Sequence, residues 1–325
     1  MSGHGSGAGF GRTSSASQSG TTAARIAAAR VLIWARLRSS LFAAHLLAVN
    51  IFSERNAVTA PAPVTRCPWQ SSAMDESRYL ECLAADHGDL RDAAASVELT
   101  VPVPNCPGWT VGDLVFHVAE VYLHKVTVMR TREWPSQWPP PGLAKEAPLP
   151  LLARAYGQLI AEFGARKPTD ATPTWYDPDQ TVAFWIRRMA QETVVHRIDA
   201  EQAAGLPVTA VPDDLAVDGV DEVLKRFLGY DTPHLDQLEG GHLATGSGQD
   251  TITVIAGQTA WTVRPSPREV VVTDGASEHP RAVIQAAPDP MLRWLWGRAS
   301  DDTVRLSGEE AWAGYLRRML VAATQ

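Results

Sequence analysis

Two side chains with metal-binding chemistry, Glu192 and His196, stand four residues apart. They lie in the segment 181–200, whose apolar residues recur at the three- and four-residue spacing of a helix face. Side chains four apart project from one face of a helix, one turn apart. A carboxylate and an imidazole so placed are two ligands for a divalent metal ion. The spacing alone is more typical of a helix-surface pair, so the metal interpretation needs a further ligand.

A third candidate ligand, His117, lies upstream in another amphipathic segment. That segment begins at Thr110, and Asp113 at the third helical position gives a pattern close to a capping box. His117 shares a side with apolar residues, which indicates that it faces the core. The alternative is a buried histidine satisfied by a hydrogen bond. His124, two turns further on the same stripe, is either a fourth ligand or, as we prefer, a polar residue at the rim.

Helices are the elements that must position these three side chains, and the sequence predicts four of them. Amphipathic patterns separated by proline-rich connections occupy residues 78–96, 110–125, 151–163 and 181–200. Such a series favours an antiparallel four-helix bundle, in whose core metal sites are commonly built. Asp179 is expected to cap the fourth helix, and Gly205 followed by Pro207 is expected to end it.

The connection from Trp134 to Pro150 contains two tryptophans and six prolines, which excludes regular structure over most of its length. Long loops in compact domains are often functional. Because this one leads out of the helix that carries His117, we predict a lid over the site, with Trp138 contacting the bound cofactor.

The pattern changes in the last third of the chain. An amphipathic helix over 213–228 precedes segments of period two, which predict short strands in an antiparallel meander over 251–255, 260–263, 269–273 and 281–285. A helix, a strand and a closing helix are predicted over 289–297, 303–306 and 309–323. The sequence therefore predicts an α+β fold, with a bundle over residues 74–207 and a small α+β domain with an antiparallel sheet over residues 208–325.

Composition bounds the location and the class of partner. The 325 residues carry a net charge of −7, which gives no electrostatic footprint for nucleic acid, and the three cysteines are scattered without a CxxC pair.

Residues 1–73 hold seven arginines and one acid, and their first part is rich in glycine and serine. We expect this segment to lie outside the folded unit, with Met74 as the true start; a secretory or organelle leader is the alternative.

Three motifs together resemble the mycothiol-dependent maleylpyruvate isomerase family. They are Cys106-Pro-Gly-Trp-Thr-Val ahead of Asp113-Leu-Val-Phe-His117, then Arg187-Arg-Met-Ala-Gln-Glu192, then Thr193-Val-Val-His196-Arg-Ile-Asp199. The resemblance implies a DinB-like four-helix bundle in which His117, Glu192 and His196 bind one divalent metal ion, usually Zn2+. Gln191 stands where many relatives have a further histidine, so any role of that histidine is absent here.

The resemblance also implies a chemistry. Two histidines and one carboxylate leave an open position on a tetrahedral zinc ion, as in catalytic sites. In the family the thiol mycothiol enters this position as thiolate and adds to an electrophilic carbon; for maleylpyruvate, rotation and elimination then give the trans isomer. Cys106 precedes a helix N-terminus, which could lower its pKa, but its distance from His117 favours a structural role.

The C-terminal part resembles the family's second domain, related in shape to sterol-carrier domains, through Leu295-Trp-Gly-Arg298 and Leu306-Ser-Gly-Glu309. Arg298 is predicted to be catalytic and to bind a carboxylate of the thiol or of the substrate. The alternative is an arginine that satisfies the carbonyls at a helix end.

We therefore expect a cytoplasmic, monomeric mycothiol-dependent isomerase or S-transferase that binds a small thiol and a small electrophile, with no nucleic acid and no membrane as partner. Two alternatives stay open. One is a metal-dependent hydrolase with water in the open position. The other is a non-catalytic protein that binds small molecules or lipids around a structural metal.

Overall fold

The computed structural model describes residues 74–230, 250–267 and 269–324. The expectations for residues 1–73 lie outside the described residues.

Four long helices fill the first part of the described chain, as the amphipathic patterns predict. They are α1 Glu76–Ala95, α2 Val111–Thr131, α3 Pro148–Gly164 and α4 Val182–Ala203. Helix α1 packs on α4, and α2 packs on both α3 and α4. Their facing side chains are fully buried, including Leu83, Leu114, Val118, Leu151 and Trp185. Each such side chain contributes about 1.5–3 kcal/mol through its removal from water.

The start of α2 carries the predicted capping box. The Thr110 hydroxyl accepts from the Asp113 backbone N–H at 3.2 Å, and the Asp113 carboxylate accepts from the Thr110 backbone N–H at 3.0 Å. Two of the unpaired N–H groups at the helix end are thereby satisfied, and the acid lies at the positive end of the helix dipole. This fixed start sets the position of His117 two turns into the helix.

The start of α4 differs from the prediction. Thr181, and not Asp179, is the capping residue, because its hydroxyl accepts from the Phe184 backbone N–H at 3.4 Å. Asp179 instead accepts a hydrogen bond from the Thr181 hydroxyl at 2.6 Å and so orients the cap. The end of α4 agrees with the prediction, since Gly205 has a φ of 67°, a backbone conformation that favours glycine.

The second part of the chain combines helices with a sheet. Helix α5 Asp213–Glu222 runs into a wider π-helical turn, Val223–Leu228, where the sequence predicts one continuous helix over 213–228. The strands are β1 Ile252–Ala256, β2 Thr259–Pro265, β3 Val270–Asp274, β4 Ala282–Ala286 and β5 Arg305–Gly308. Helix α6 Pro288–Leu295 precedes β5, and α7 Glu310–Thr324 follows it.

The order of the strands is β3-β2-β1-β4-β5 within the described residues. Strands β1 to β3 form the predicted antiparallel meander, and β4 pairs with β5 in the same way. The prediction is wrong for β4, which lies parallel to β1, with Val254 opposite Ile284. Alternation of apolar residues marks the two faces of a strand but does not identify the strand that pairs with it. The parallel pairing of β4 with β1 was therefore not predicted from the sequence.

Helices α6 and α7 cover the sheet, and α5 packs on α6. The predicted boundary between residues 207 and 208 stays a prediction; it falls in the connection between the end of α4 at Ala203 and the start of α5 at Asp213. In the described part of the chain, every helix is too short or too polar to cross a lipid bilayer.

Removal of the α2 cap should destabilise the helix that carries His117. We expect Thr110→Ala to lower the free energy of unfolding by about 1 kcal/mol, because the Asp113 backbone N–H loses its acceptor. Thr110→Ser keeps the hydroxyl and should stay within about 0.5 kcal/mol of the original protein. Urea unfolding followed by circular dichroism measures both changes, and equal midpoints for the two variants would contradict the capping role.

Candidate metal centre

The three predicted ligands meet between α2 and α4. The Nε2 atoms of His117 and of His196 both lie 3.3 Å from the same carboxylate oxygen, Oε1 of Glu192. One candidate ligand atom from each residue lies within 4.8 Å of the others. The geometry therefore brings together all three side chains that the sequence singles out.

The two separations between Glu192 and the histidines fit a small metal ion. Ligand atoms bound tetrahedrally to zinc at about 2.0–2.1 Å are separated by about 3.3–3.4 Å. The two distances from Glu192 Oε1 to the imidazole nitrogens match this separation. The side chain of His117 is 30% exposed whereas that of His196 is 11% exposed, so the site opens on the His117 side. Two imidazoles and one carboxylate are the donor set of a catalytic rather than a structural zinc ion.

Arg188 holds the other oxygen of the Glu192 carboxylate. Its Nη2 donates to Glu192 Oε2, and its Nη1 donates to the buried carboxylate of Glu222 on α5. The guanidinium also lies 5.2 Å from the ring centroid of Phe227. Arg188 therefore directs Oε1 of Glu192 alone toward the two histidines, which favours a monodentate carboxylate ligand.

Asp199 fixes the orientation of His196. Its Oδ2 lies 3.0 Å from His196 Nδ1, and its side chain has no exposed surface. An imidazole whose Nδ1–H donates to a carboxylate presents the lone pair of Nε2, which is the tautomer that binds a metal ion. Asp199 and His196 thus form the carboxylate–histidine pair that typically supports a metal ligand.

Arg298 reaches this carboxylate from the second part of the chain. Its Nε donates to Asp199 Oδ1 at 3.0 Å, and its Nη2 donates to Asp199 Oδ2 at 2.8 Å. The third nitrogen, Nη1, donates to the Trp296 carbonyl at 2.6 Å. The prediction was that Arg298 binds a carboxylate of the thiol or of the substrate, and the carboxylate that it contacts here is that of Asp199. The contact with the Trp296 carbonyl is the one that the alternative interpretation predicts. The role of Arg298 in catalysis stays a prediction.

The charges of the site balance one another. Burial raises the pKa of the Glu192 carboxyl, but Arg188, His117 and His196 together hold that pKa well below its usual range. Burial lowers the pKa of His196, but its hydrogen bonds to Asp199 and Glu192 outweigh this and raise the pKa to about 9. Because a metal ligand must be unprotonated at Nε2, a metal ion at this position competes with a proton.

Cys106 lies beside the supporting network and not among the ligands. Its Sγ is 3.6 Å from Asp199 Oδ2 and 3.7 Å from Arg298 Nη2. Burial and the charge of Asp199 raise the pKa of this thiol to about 12. The possible lowering by the helix N-terminus is thus overcome, and the structural interpretation of Cys106 agrees with its surroundings.

The predicted lid residue Trp138 packs on His124, two turns along α2 from His117, with ring centroids 4.9 Å apart. Its contact with a cofactor stays a prediction. His124 itself is 1% exposed, so the preference for a rim position is wrong; the apolar stripe of α2 continues under the loop and buries it. The aromatic wall next to the ligands comes instead from Trp109, whose ring centroid is 4.8 Å from that of His117.

Two protein-family models match this chain. Residues 80–201 match the model of the Mycothiol maleylpyruvate isomerase N-terminal domain, and residues 214–314 match that of the MDMPI C-terminal domain. The chain belongs to the mycothiol-dependent maleylpyruvate isomerase family. The resemblance seen in the motifs is thereby confirmed, and membership makes the protein an enzyme with a maleylpyruvate-isomerase-like function.

A solved member of the family shares the fold. The crystal structure of the mycothiol-dependent maleylpyruvate isomerase aligns with a TM-score of 0.51 and 14% identity, covering 73% of this chain and 95% of that one. The structure of a histidine-to-alanine mutant of that enzyme aligns with the same values. A comparison with proteins of curated function found no match. At 14% identity the structural likeness shows the fold alone.

Two supporting residues of the candidate site escaped the sequence interpretation, although both stand in the quoted motifs. Asp199 follows His196 by three residues, and Arg188 precedes Glu192 by four. Either spacing places the pair on one helix face, which is the signal that could have identified them. The sequence does not show that Glu222 and Arg298, from distant segments, complete these two pairs.

Loss of the ligand carboxylate should empty the candidate site. We expect Glu192→Gln to weaken zinc binding at least about 100-fold, because it removes a ligand charge and costs more than the change of a supporting residue. His196→Ala should do at least as much damage, whereas His124→Ala should leave the zinc content unchanged. Metal analysis after dialysis against a chelator measures the outcome. Full retention of zinc by Glu192→Gln would show that Glu192 and His196 are only a helix-surface pair.

The supporting carboxylate should matter less than the ligands. We expect Asp199→Asn to weaken zinc binding about 10- to 100-fold, since the amide no longer fixes the tautomer of His196. Competition with a chromogenic chelator measures this affinity. An affinity equal to that of the original protein would show that Asp199 only pairs with Arg298.

Proposed function

We propose that this enzyme is a divalent-metal-dependent, mycothiol-dependent isomerase or thiol transferase that acts on a small electrophile. The observation that carries the proposal is the single carboxylate oxygen of Glu192 placed 3.3 Å from the imidazole nitrogens of His117 and His196. Family membership supports the thiol, and the donor set supports zinc or a similar ion.

The protein side chains have distinct tasks in this proposal. His117, Glu192 and His196 hold the ion, which when bound favours the thiolate form of an incoming thiol. Asp199 keeps the proton of His196 on Nδ1, and Arg188 keeps Glu192 ionised. Trp109 lines the site beside both histidines and excludes water from that side.

An external thiol agrees with the state of the protein's own thiols. Among the described residues, the free cysteines are Cys82 and Cys106. Burial raises the pKa of Cys82 to about 11 and, with Asp199, that of Cys106 to about 12. Both thiols are therefore protonated near neutral pH and are poor nucleophiles. The state of these two thiols supports a nucleophile supplied by a cofactor.

Arg298 and Trp138 belong to the proposal as residues that bind the thiol or the substrate. All three nitrogens of the Arg298 guanidinium already donate to Asp199 or to the Trp296 carbonyl. Contact with a carboxylate of a ligand therefore requires one of these hydrogen bonds to be exchanged. The proposal also includes a cytoplasmic location and a monomeric state.

Thiol binding at the metal centre is directly measurable after substitution of cobalt for zinc. We expect mycothiol, added to the cobalt-loaded full-length protein, to produce a thiolate-to-cobalt charge-transfer band, because the thiol loses its proton on binding the ion. S-methyl mycothiol has no ionisable thiol and serves as the control. The band should be absent in His117→Ala.

Turnover completes this test. Isomerisation of maleylpyruvate by the zinc-loaded protein should require mycothiol and should stop when a chelator removes the metal. Turnover that needs the metal but proceeds at the same rate without thiol would overturn the proposal in favour of hydrolysis or another water-dependent reaction. A metal-loaded protein that gives no charge-transfer band with mycothiol would also contradict it.

A further inference from the structure

Glu222 is a buried carboxylate that is linked to the metal centre through Arg188. Arg188 donates with Nη2 to Glu192 Oε2 and with Nη1 to Glu222 Oε2. It therefore gives one nitrogen to each of two carboxylates. Glu222 is the last residue of α5, so this acceptor comes from the second part of the chain, whereas Arg188 and Glu192 both lie on α4.

The position of Glu222 is energetically unfavourable in itself. The residue has no exposed surface, and its second oxygen, Oε1, is buried without a hydrogen-bond partner among the described residues. Burial raises the pKa of this carboxyl, although Arg188 and Arg187 act to lower it. A buried carboxylate oxygen that lacks a donor costs free energy, so the stability of the fold does not account for this acid.

The neighbouring acid of α5 is satisfied more fully. Asp221 accepts from Arg187 through Oδ1 and from the Trp261 indole N–H through Oδ2, so both of its oxygens have a donor. Within the part of the chain that the structure describes, the hydrogen bond of the Glu222 carboxylate runs to Arg188 alone. The task of Glu222 in this fold is therefore to engage Arg188.

Two aromatic rings of the second part hold the same guanidinium. Its central carbon lies 5.2 Å from the ring centroid of Phe227 and 6.0 Å from that of Trp296. The faces of such rings attract a cation, and these two rings contact each other, with 5.4 Å between their centroids. Arg188 is thus held by three groups from outside α1 to α4, of which Glu222 carries the charge.

An arginine beside a single carboxylate has a preferred arrangement that would compete with a metal ion. A guanidinium and a carboxylate frequently pair through two parallel hydrogen bonds, one to each oxygen. For Arg188 and Glu192 this pairing would use Oε1, the oxygen that lies 3.3 Å from Nε2 of both His117 and His196. Here Nη1 of Arg188 is engaged by Glu222 instead, and Oε1 stays directed at the histidines.

We propose that Glu222 is a positioning residue for the metal centre. By holding Nη1 of Arg188, it prevents a two-oxygen contact with Glu192 and leaves Oε1 available to the ion. This inference rests on the proposed function, because it takes His117, Glu192 and His196 as the ligands. It gives the second part of the chain a task at a site whose candidate ligands all come from the bundle.

The zinc affinity of the full-length protein tests this inference without any turnover. Glu222→Gln keeps the shape of the side chain but offers Arg188 an uncharged acceptor. We expect it to weaken zinc binding about 10- to 100-fold, the usual effect of changing a group that supports a metal ligand. Competition with a chromogenic chelator measures the affinity. The matched control is Asp221→Asn, which removes the neighbouring carboxylate that pairs with Arg187 and should leave the zinc affinity unchanged.

The route through Arg188 is tested by repeating the substitution in a second background. Arg188→Met removes the guanidinium that competes for Glu192, so adding Glu222→Gln to Arg188→Met should cause no further loss of zinc affinity. A purely structural role of Glu222 would give the same loss in both backgrounds. Glu222→Met removes the charge and buries an apolar side chain, and it serves in the same comparison if Glu222→Gln does not fold.

Two results would overturn the inference. One is an unchanged zinc affinity in a folded Glu222→Gln protein, and the other is an equal loss of affinity with and without Arg188. Failure of the proposed function is a different result, because it would be seen in the original protein as the absence of zinc binding or of the thiolate-to-cobalt band.

Discussion

The Glu192 carboxylate must stay ionised while it is removed from water, and the rest of the site depends on how this is achieved. One of its oxygens is held by Arg188, and the other faces the imidazoles of His117 and His196. Arg188 is itself buried and needs a second carboxylate, which Glu222 provides from α5. The candidate ligand is thus one member of an alternating series of charges that extends from the bundle into the second part of the chain.

Two neighbouring arginines on α4 divide the tasks of that helix. Arg188 supports the ligand carboxylate, whereas Arg187 pairs with Asp218 and Asp221 on α5. Asp218 also accepts from the Tyr79 hydroxyl on α1 at 2.7 Å, so three helices share one polar network. Because all its charges are matched, this network is structural.

The sequence predicted those parts of the site that depend on local periodicity. Glu192 and His196 share a helix face by their spacing, and the capping box before His117 fixed the start of α2. The parallel pairing of β4 and β1 was not predicted, because a strand's pattern does not identify its neighbour. The burial of His124 was missed for a related reason: a proline-rich loop gives no pattern from which to tell what it covers.

The bidentate contact between Arg298 and Asp199 has an evolutionary consequence. Asp199 orients a ligand of the bundle, but its charge is balanced by an arginine that follows α6. The basicity of His196 is therefore set jointly by both halves of the polypeptide. Recombination that joined this bundle to a foreign C-terminal half would retain every candidate ligand but lose the cation that balances Asp199.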